Sequence, residues 1–234
     1  MTRTAPYRLQ EPGTPAMGLV VLRVDETIEL EMRRDIPVDE ARLYVTRVAS
    51  GDDLTPDSIA EMERHLTAAA CLLPPAAGFD VIGYACTSGT ALIGADRVAA
   101  LIREGVATRA VTNPLTAAVA NLRALGRSRI AVLSPYLPSV SDPLCTAFEA
   151  EGVQVVDNLS FGEEVEARVA RIDPASIASA ARRLAAGSQP DALFLSCTNL
   201  RTCTVLPRLE AELGLPVLSS NRCLAWHMRS LVAE

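Results

Sequence analysis

Cysteine recurs at the same point of two apolar runs 111 residues apart, and this repeat narrows the available folds more than anything else in the sequence. Phe79-Asp80-Val81-Ile82-Gly83-Tyr84-Ala85 leads into Cys86-Thr87-Ser88-Gly89-Thr90. Pro190-Asp191-Ala192-Leu193-Phe194-Leu195 leads into Ser196-Cys197-Thr198-Asn199. The same offset relates residues 18–22 to 129–133, 44–47 to 155–158 and 106–108 to 217–219. Each is a short run of strand length, rich in Val, Ile and Leu, so four strands per half are expected in one shared order.

Helix signals fall between these runs. Thr55 can cap a helix that Pro56 opens, and Ile59, Met62, His65, Leu66 and Ala69 follow helical spacing until Pro74. Asp173-Pro174 opens the matching helix, expected to run to 186. Others are expected at 89–104, 114–125, 143–151, 200–213 and from 221 to the end. Strands that alternate with helices and read as near-continuous apolar runs belong to parallel sheets covered on both faces. The fold class is therefore α/β: two similar doubly wound domains with four-stranded parallel sheets. The expected division is 1–112 plus 220–234, carrying Cys86, and 113–219, carrying Cys197. Such sheets bind ligands beyond the carboxyl ends of their strands, where both cysteines fall. A pseudo-twofold axis would bring the two thiols to one cleft.

Composition removes several classes of function. A net charge of −6 disfavours a nucleic-acid backbone as partner. No apolar run approaches the roughly 18 residues of a membrane span. Residues 1–16 lack the apolar centre of a secretory signal, so a cytoplasmic, reducing setting with free thiols is expected. All 22 basic residues are arginine, which excludes Schiff-base chemistry and a phosphate-loop lysine. The two histidines, His65 and His227, have no second ligand at metal spacing, and neither a metal nor an organic cofactor is expected.

A thiol at a helix N-terminus is expected to ionise more readily, and the N–H groups around it can hold a carboxylate. Read this way, Cys86 with Thr87, Ser88 and Gly89, and Cys197 with Thr198 and Asn199, each combine a base or nucleophile with an anion site. Two thiols on opposite faces of a small acid suit one kind of chemistry, in which the first removes a proton or adds to carbon and the second supplies a proton from the far side. The outcome is racemisation, epimerisation or geometric isomerisation. A non-catalytic small-molecule sensor would have no use for matched thiols, and a thiol redox protein would want a Cys-x-x-Cys pair, which is missing. Cys71, Cys145, Cys203 and Cys223 read as ordinary packing residues.

Four motifs in order, Cys86-Thr87-Ser88-Gly89, Leu133-Ser134-Pro135-Tyr136, Ser196-Cys197-Thr198-Asn199 and Ser219-Ser220-Asn221 with Trp226 behind it, resemble the aspartate/glutamate racemase superfamily. Within it the chain is most similar to the maleate isomerase and arylmalonate decarboxylase branch, from about residue 18 to 231. The resemblance implies two Rossmann-like domains with the active site in the cleft between them, and a homodimer. It implies Cys86 as nucleophile, Cys197 as proton donor, and Tyr136 and Asn158 as carboxylate ligands. Arylmalonate decarboxylases have glycine where Cys86 stands, so two cysteines lean away from decarboxylation, which remains the alternative.

The first strand departs from that pattern. Maleate isomerases end it with a carboxylate-gripping asparagine; here Asp25 takes that place, followed by Glu26. An acid there repels a dianion such as maleate and welcomes a cationic nitrogen. Asp25-Glu26-Thr27-Ile28-Glu29 also resembles the ectoine-utilisation members of the superfamily, which points to a small carboxylate that carries a cationic nitrogen.

Overall fold

The structure is a computed structural model that describes residues 2–10, 13–53 and 55–233. In the first half the chain runs β1 (Ala16–Leu22), α1 (Ile28–Asp35), β2 (Arg42–Val48), α2 (Pro56–Glu61), α3 (Glu63–Ala70), β3 (Phe79–Ala85), α4 (Thr87–Ile93), α5 (Ala95–Gly105) and β4 (Thr108–Thr112). The second half continues with α6 (Pro114–Ala124), β5 (Arg129–Ser134), α7 (Pro138–Ala150), β6 (Gln154–Ser160), α8 (Glu166–Val169), α9 (Pro174–Ser188), β7 (Ala192–Leu195), α10 (Leu206–Leu213) and β8 (Val217–Ser219). A closing helix, α11 (Ser220–Ala233), follows without a break.

Each half builds one four-stranded sheet, and the orders are the same, β2-β1-β3-β4 and β6-β5-β7-β8. Every pairing is parallel. The α/β fold with two equivalent parallel sheets stands as expected. β1 is buried along its whole length, as a strand covered on both faces must be. α11 returns to the first sheet, where Leu224, Ala225 and Met228 pack with Leu19, Val81 and Ala85 and with Ile28 and Met32 of α1. A second apolar cluster is continuous from Val20 and Ile82 to Leu133 and Phe194, so the two sheets share a core. The face-to-edge contact of Phe148 with Phe194, 5.1 Å between ring centres, anchors α7 on the second sheet.

Element boundaries differ from the sequence expectation at several points, four of them for a plain local reason. The fourth strand spans 108–112 rather than 106–108, because Val106 still closes α5 through its N–H on the Ile102 carbonyl. The helix expected at 89–104 is two helices, broken at Gly94, whose φ of +94° ends α4 and starts α5. α7 begins at Pro138, not Pro143; the later proline lies inside it, where only one backbone bond is forfeited. α1 has no counterpart among the expected helices. Asp25 creates it by capping its N-terminus, accepting the N–H groups of Thr27 at 2.7 Å and Ile28 at 2.8 Å.

Candidate active site

β3 delivers Cys86 to the carboxyl end of the first sheet as the cap of α4. Its sulfur accepts the Gly89 N–H at 3.1 Å and lies 3.6 Å from the Ser88 hydroxyl. A methyl group on Gly89 would collide with the Tyr84 hydroxyl and come within 2.9 Å of the Cys86 sulfur. Glycine is thus required here by the protein's own packing.

β7 delivers Cys197 differently. Its φ is +97°, a conformation that side-chain-bearing residues rarely adopt. Residues 198–200 then turn, and α10 starts only at Leu206, so no helix N-terminus stands behind this thiol. That corrects the expectation of a helix from 200. The turn is held instead by Glu31 of α1, which accepts the N–H groups of Thr202 and Cys203 at 2.9 Å, the Thr202 hydroxyl at 3.2 Å and the Asn221 amide at 2.9 Å.

The two cysteine loops touch. The Ser220 hydroxyl accepts the Cys197 N–H at 3.0 Å and shares a 2.8 Å hydrogen bond with the Thr87 hydroxyl. The Thr198 hydroxyl donates to the Ala85 carbonyl, one residue before Cys86, at 3.2 Å. Tyr136, from the connection after β5, sets its hydroxyl against the Cys197 sulfur and within the field of the Cys86 thiol. Cys86, Cys197, Thr87, Ser88, Gly89, Tyr136, Thr198 and Asn199 are therefore gathered at one place, as the repeat led one to expect.

Their ionisation is not as expected. Burial pushes the Cys86 thiol up to about 11, outweighing the Ser88 and Gly89 hydrogen bonds that favour the thiolate. Cys197 is held well above the usual thiol range by burial first, and then by the charge of Glu166. Each is only 4% exposed, and in this closed arrangement both are thiols.

Glu166 escaped the sequence reading. It sits among Glu163, Glu164 and Val165 in a stretch that looks like a solvated acidic loop. In the fold it is 5% exposed, with Oε2 accepting the Asn199 amide at 3.0 Å. Burial lifts its carboxyl to about 7, against the Asn199 hydrogen bond and with the help of Asp25's charge. Asp25 is as buried, and desolvation raises it against the N–H groups of Ile28 and Thr27.

Glu26 does not join this cluster through its side chain. Glu26 is exposed and paired with Arg171 at 2.8 Å, which lowers its carboxyl; only its N–H reaches in, to the Asn199 side-chain oxygen at 2.8 Å. Asn158 lies within β6, opposite Val132 and two residues short of the strand's end. Arg47 braces the β1–α1 connection by donating to the carbonyls of Leu22, Arg23 and Asp25, each at 3.0 Å.

Several buried polar atoms of these sheet ends have no hydrogen-bond partner among the described residues: Asp25 Oδ2, Ser134 Oγ, Asn158 Oδ1 and Ser196 Oγ. Segments of both halves cover them. The Glu166 N–H donates to the Asp52 carbonyl at 3.1 Å, and Asp53 forms a bridge with Val165. The cavity left beneath, between Ser88 and Glu166, is about 10 Å³, room for at most one water. Hollows of about 490 and 440 Å³ flank Trp226 on the outer face of α11 and touch neither cysteine. Among the described residues no group of three or more His, Cys, Asp or Glu is placed to hold a metal, and no helix is long and apolar enough to cross a membrane.

Comparison with known proteins assigns the chain to a family. The profile of the arylmalonate decarboxylase family matches residues 32–234. Maleate isomerase of Nocardia farcinica is 31% identical over 94% of this chain and 91% of its own. Arylmalonate decarboxylase of Bordetella bronchiseptica is 28% identical over 93% and 90%. The solved structure of a cysteine-to-serine variant of the Nocardia farcinica maleate cis-trans isomerase, with a covalently bound succinylcysteine intermediate, superposes with a TM-score of 0.83 at 26% identity, covering 94% of both chains. The chain thus belongs to the arylmalonate decarboxylase family, in the branch of the aspartate/glutamate racemase superfamily that also holds the maleate isomerases.

Proposed function

We propose that the protein is a cofactor-independent isomerase or racemase acting on a small carboxylate through Cys86 and Cys197. The observation that carries this reading is the joining of the two cysteine loops, one from each sheet, by Ser220 and Thr198, with the Tyr136 hydroxyl against the Cys197 thiol. The working unit is two-lobed, 1–112 with 220–234 on one side and 113–219 on the other.

In the simplest reaction one sulfur, as thiolate, takes the proton from the carbon next to the substrate carboxylate. The C–H electron pair moves into the carboxylate as an enediolate, and the opposite thiol returns a proton to the other face. The configuration inverts, no net oxidation occurs and the two sulfurs exchange protonation states. On an unsaturated acid the Cys86 sulfur adds to one alkene carbon while Cys197 protonates its neighbour. Rotation about the resulting single bond, then loss of that proton and of the sulfur, yields the other geometric isomer. The succinylcysteine in the Nocardia farcinica relative supports the addition route. Tyr136, Ser88 and the unpartnered hydroxyls of Ser134 and Ser196 are donors suited to the carboxylate.

Use in ectoine or hydroxyectoine utilisation is the finer assignment, supported by the acid at Asp25. Glu26, turned outward to Arg171, adds nothing to it. Decarboxylation is the second reading, favoured by the family profile. Proton NMR in D₂O across small amino acids, ectoine-type acids and maleate separates these. The proposal expects exchange or isomerisation at one carbon of one substrate, abolished by Cys86→Ser and by Cys197→Ser. Carbon dioxide release would establish the decarboxylase instead, and turnover that survives either substitution would overturn the paired-cysteine mechanism.

A further inference from the structure

We propose that Asp25 and Glu166 form a subsite for a cationic nitrogen of the substrate, next to the paired cysteines. This rests on the two-cysteine reading above and adds the charge of the substrate. Asp25 is 4% exposed; Oδ1 is committed to capping α1, and Oδ2 has no hydrogen bond among the described residues, the nearby Thr198 hydroxyl being spent on the Ala85 carbonyl. Glu166, 5% exposed, is steadied by the Asn199 amide, which donates to Oε2 at 3.0 Å and to the Glu166 carbonyl at 3.1 Å. Asn199 joins the two segments: besides holding Glu166, its side-chain oxygen accepts the Glu26 N–H at 2.8 Å and its backbone carbonyl accepts the Thr27 hydroxyl at 2.9 Å, and the charge of each acid disfavours the Cys197 thiolate.

Among the described residues no cationic side chain pairs with either carboxyl, and the charge of Arg47 acts on Asp25 without a bond to its carboxyl. The chain has no lysine. Arg47 gives its guanidinium to backbone carbonyls and to Glu29, Arg171 to Glu26 and Arg23 to Asp52, all at the partly exposed rim. Two buried acids thus stand at one reactive centre with a hydrogen-bond acceptor to spare. An ammonium or amidinium group supplies the missing donor to Oδ2 and the countercharge for both acids in one step. A second carboxylate finds no cationic partner there and meets like charge as soon as the acids ionise. The substrate class is therefore a small acid bearing a cationic nitrogen, not a dicarboxylate. The same cation offsets the field that disfavours the Cys197 thiolate, so ligand binding and thiol ionisation are coupled.

Titration calorimetry on the intact chain tests this with β-alanine and 4-aminobutyrate against propionate, butyrate and maleate. The wild-type chain should bind an amino acid about tenfold or more tightly than the amine-free acid of the same length, the scale of one charge-assisted hydrogen bond. Asp25→Asn with Glu166→Gln should remove that preference and admit maleate. Asparagine retains the oxygen that caps α1, and a cooperative melt confirms that the variant is folded. Equal binding of the paired acids, no binding of either amino acid, maleate as the tightest wild-type ligand, or a preference that survives both substitutions would each overturn the inference. If a nitrogen-free acid nevertheless undergoes exchange dependent on both cysteines, the inference fails and the two-cysteine reading stands. Amine preference without any such exchange gives the reverse.

Discussion

Cys197 occupies backbone that a side chain resists, at φ +97°, and the turn around it is over-determined by Ser220 and the Glu31 contacts. Strain held at a reactive residue costs stability that glycine would recover. Cys197→Gly should therefore be more stable than Cys197→Ala by about 1 kcal/mol, or roughly 3 °C in melting temperature for a chain of this size, while both abolish exchange. An alanine variant as stable as the glycine one would show the strain to be absent. Glu166 makes a second, independent prediction. Its folded carboxyl sits near 7 against an ordinary 4.5, so across that window the folded chain holds a proton that the unfolded chain has released. Its contribution is full below the window and is lost as pH rises through it, by up to about 3 kcal/mol. Melting temperatures at about pH 5 and pH 7.5 should fall less between the two in Glu166→Gln than in wild type. No local pattern in the sequence marks this residue, because an acid in an acidic loop reads as solvated; only the crossing of that loop over the first sheet buries it.

The strands are readable as elements because burial on both faces leaves an unbroken apolar run. The segment 198–205 is not. Its apolar spacing runs on into that of α10, yet the N–H groups of Thr202 and Cys203 are taken by a carboxylate from α1, a helix that no sequence signal placed. Such long-range competition for backbone groups has no local signature. Glu31 is accordingly a positioning residue for the Cys197 turn. Glu31→Ala strands buried donors of Thr202, Cys203 and Asn221 and should cost about 3 kcal/mol, with a melting temperature lower by about 10 °C. Substituting Glu40, whose ion pair with Arg229 is exposed, should change stability by about 0.5 kcal/mol or less. Comparable shifts for the two would remove the clamp from the account.

At the scale of the molecule, the offset between Cys86 and Cys197 predicts two equivalent sheets, and the matching strand orders bear it out. The same symmetry misleads on chemistry. It implies equivalent thiols, each at a helix start, whereas Cys86 caps α4 and Cys197 sits in a strained turn with no helix behind it. It also implies thiolates, and burial in the closed cleft decides otherwise. What survives is the meeting of the two cysteine loops, one from each half, through Ser220 and Thr198. The most direct measurement is cross-linking of the native chain with the bis-electrophile dibromobimane, followed by cleavage at arginine and sequencing of the fluorescent peptides. The account predicts a bridge that joins Cys86 to Cys197. Single attachments alone at these two residues, or bridges formed only among Cys71, Cys145, Cys203 and Cys223, would contradict it.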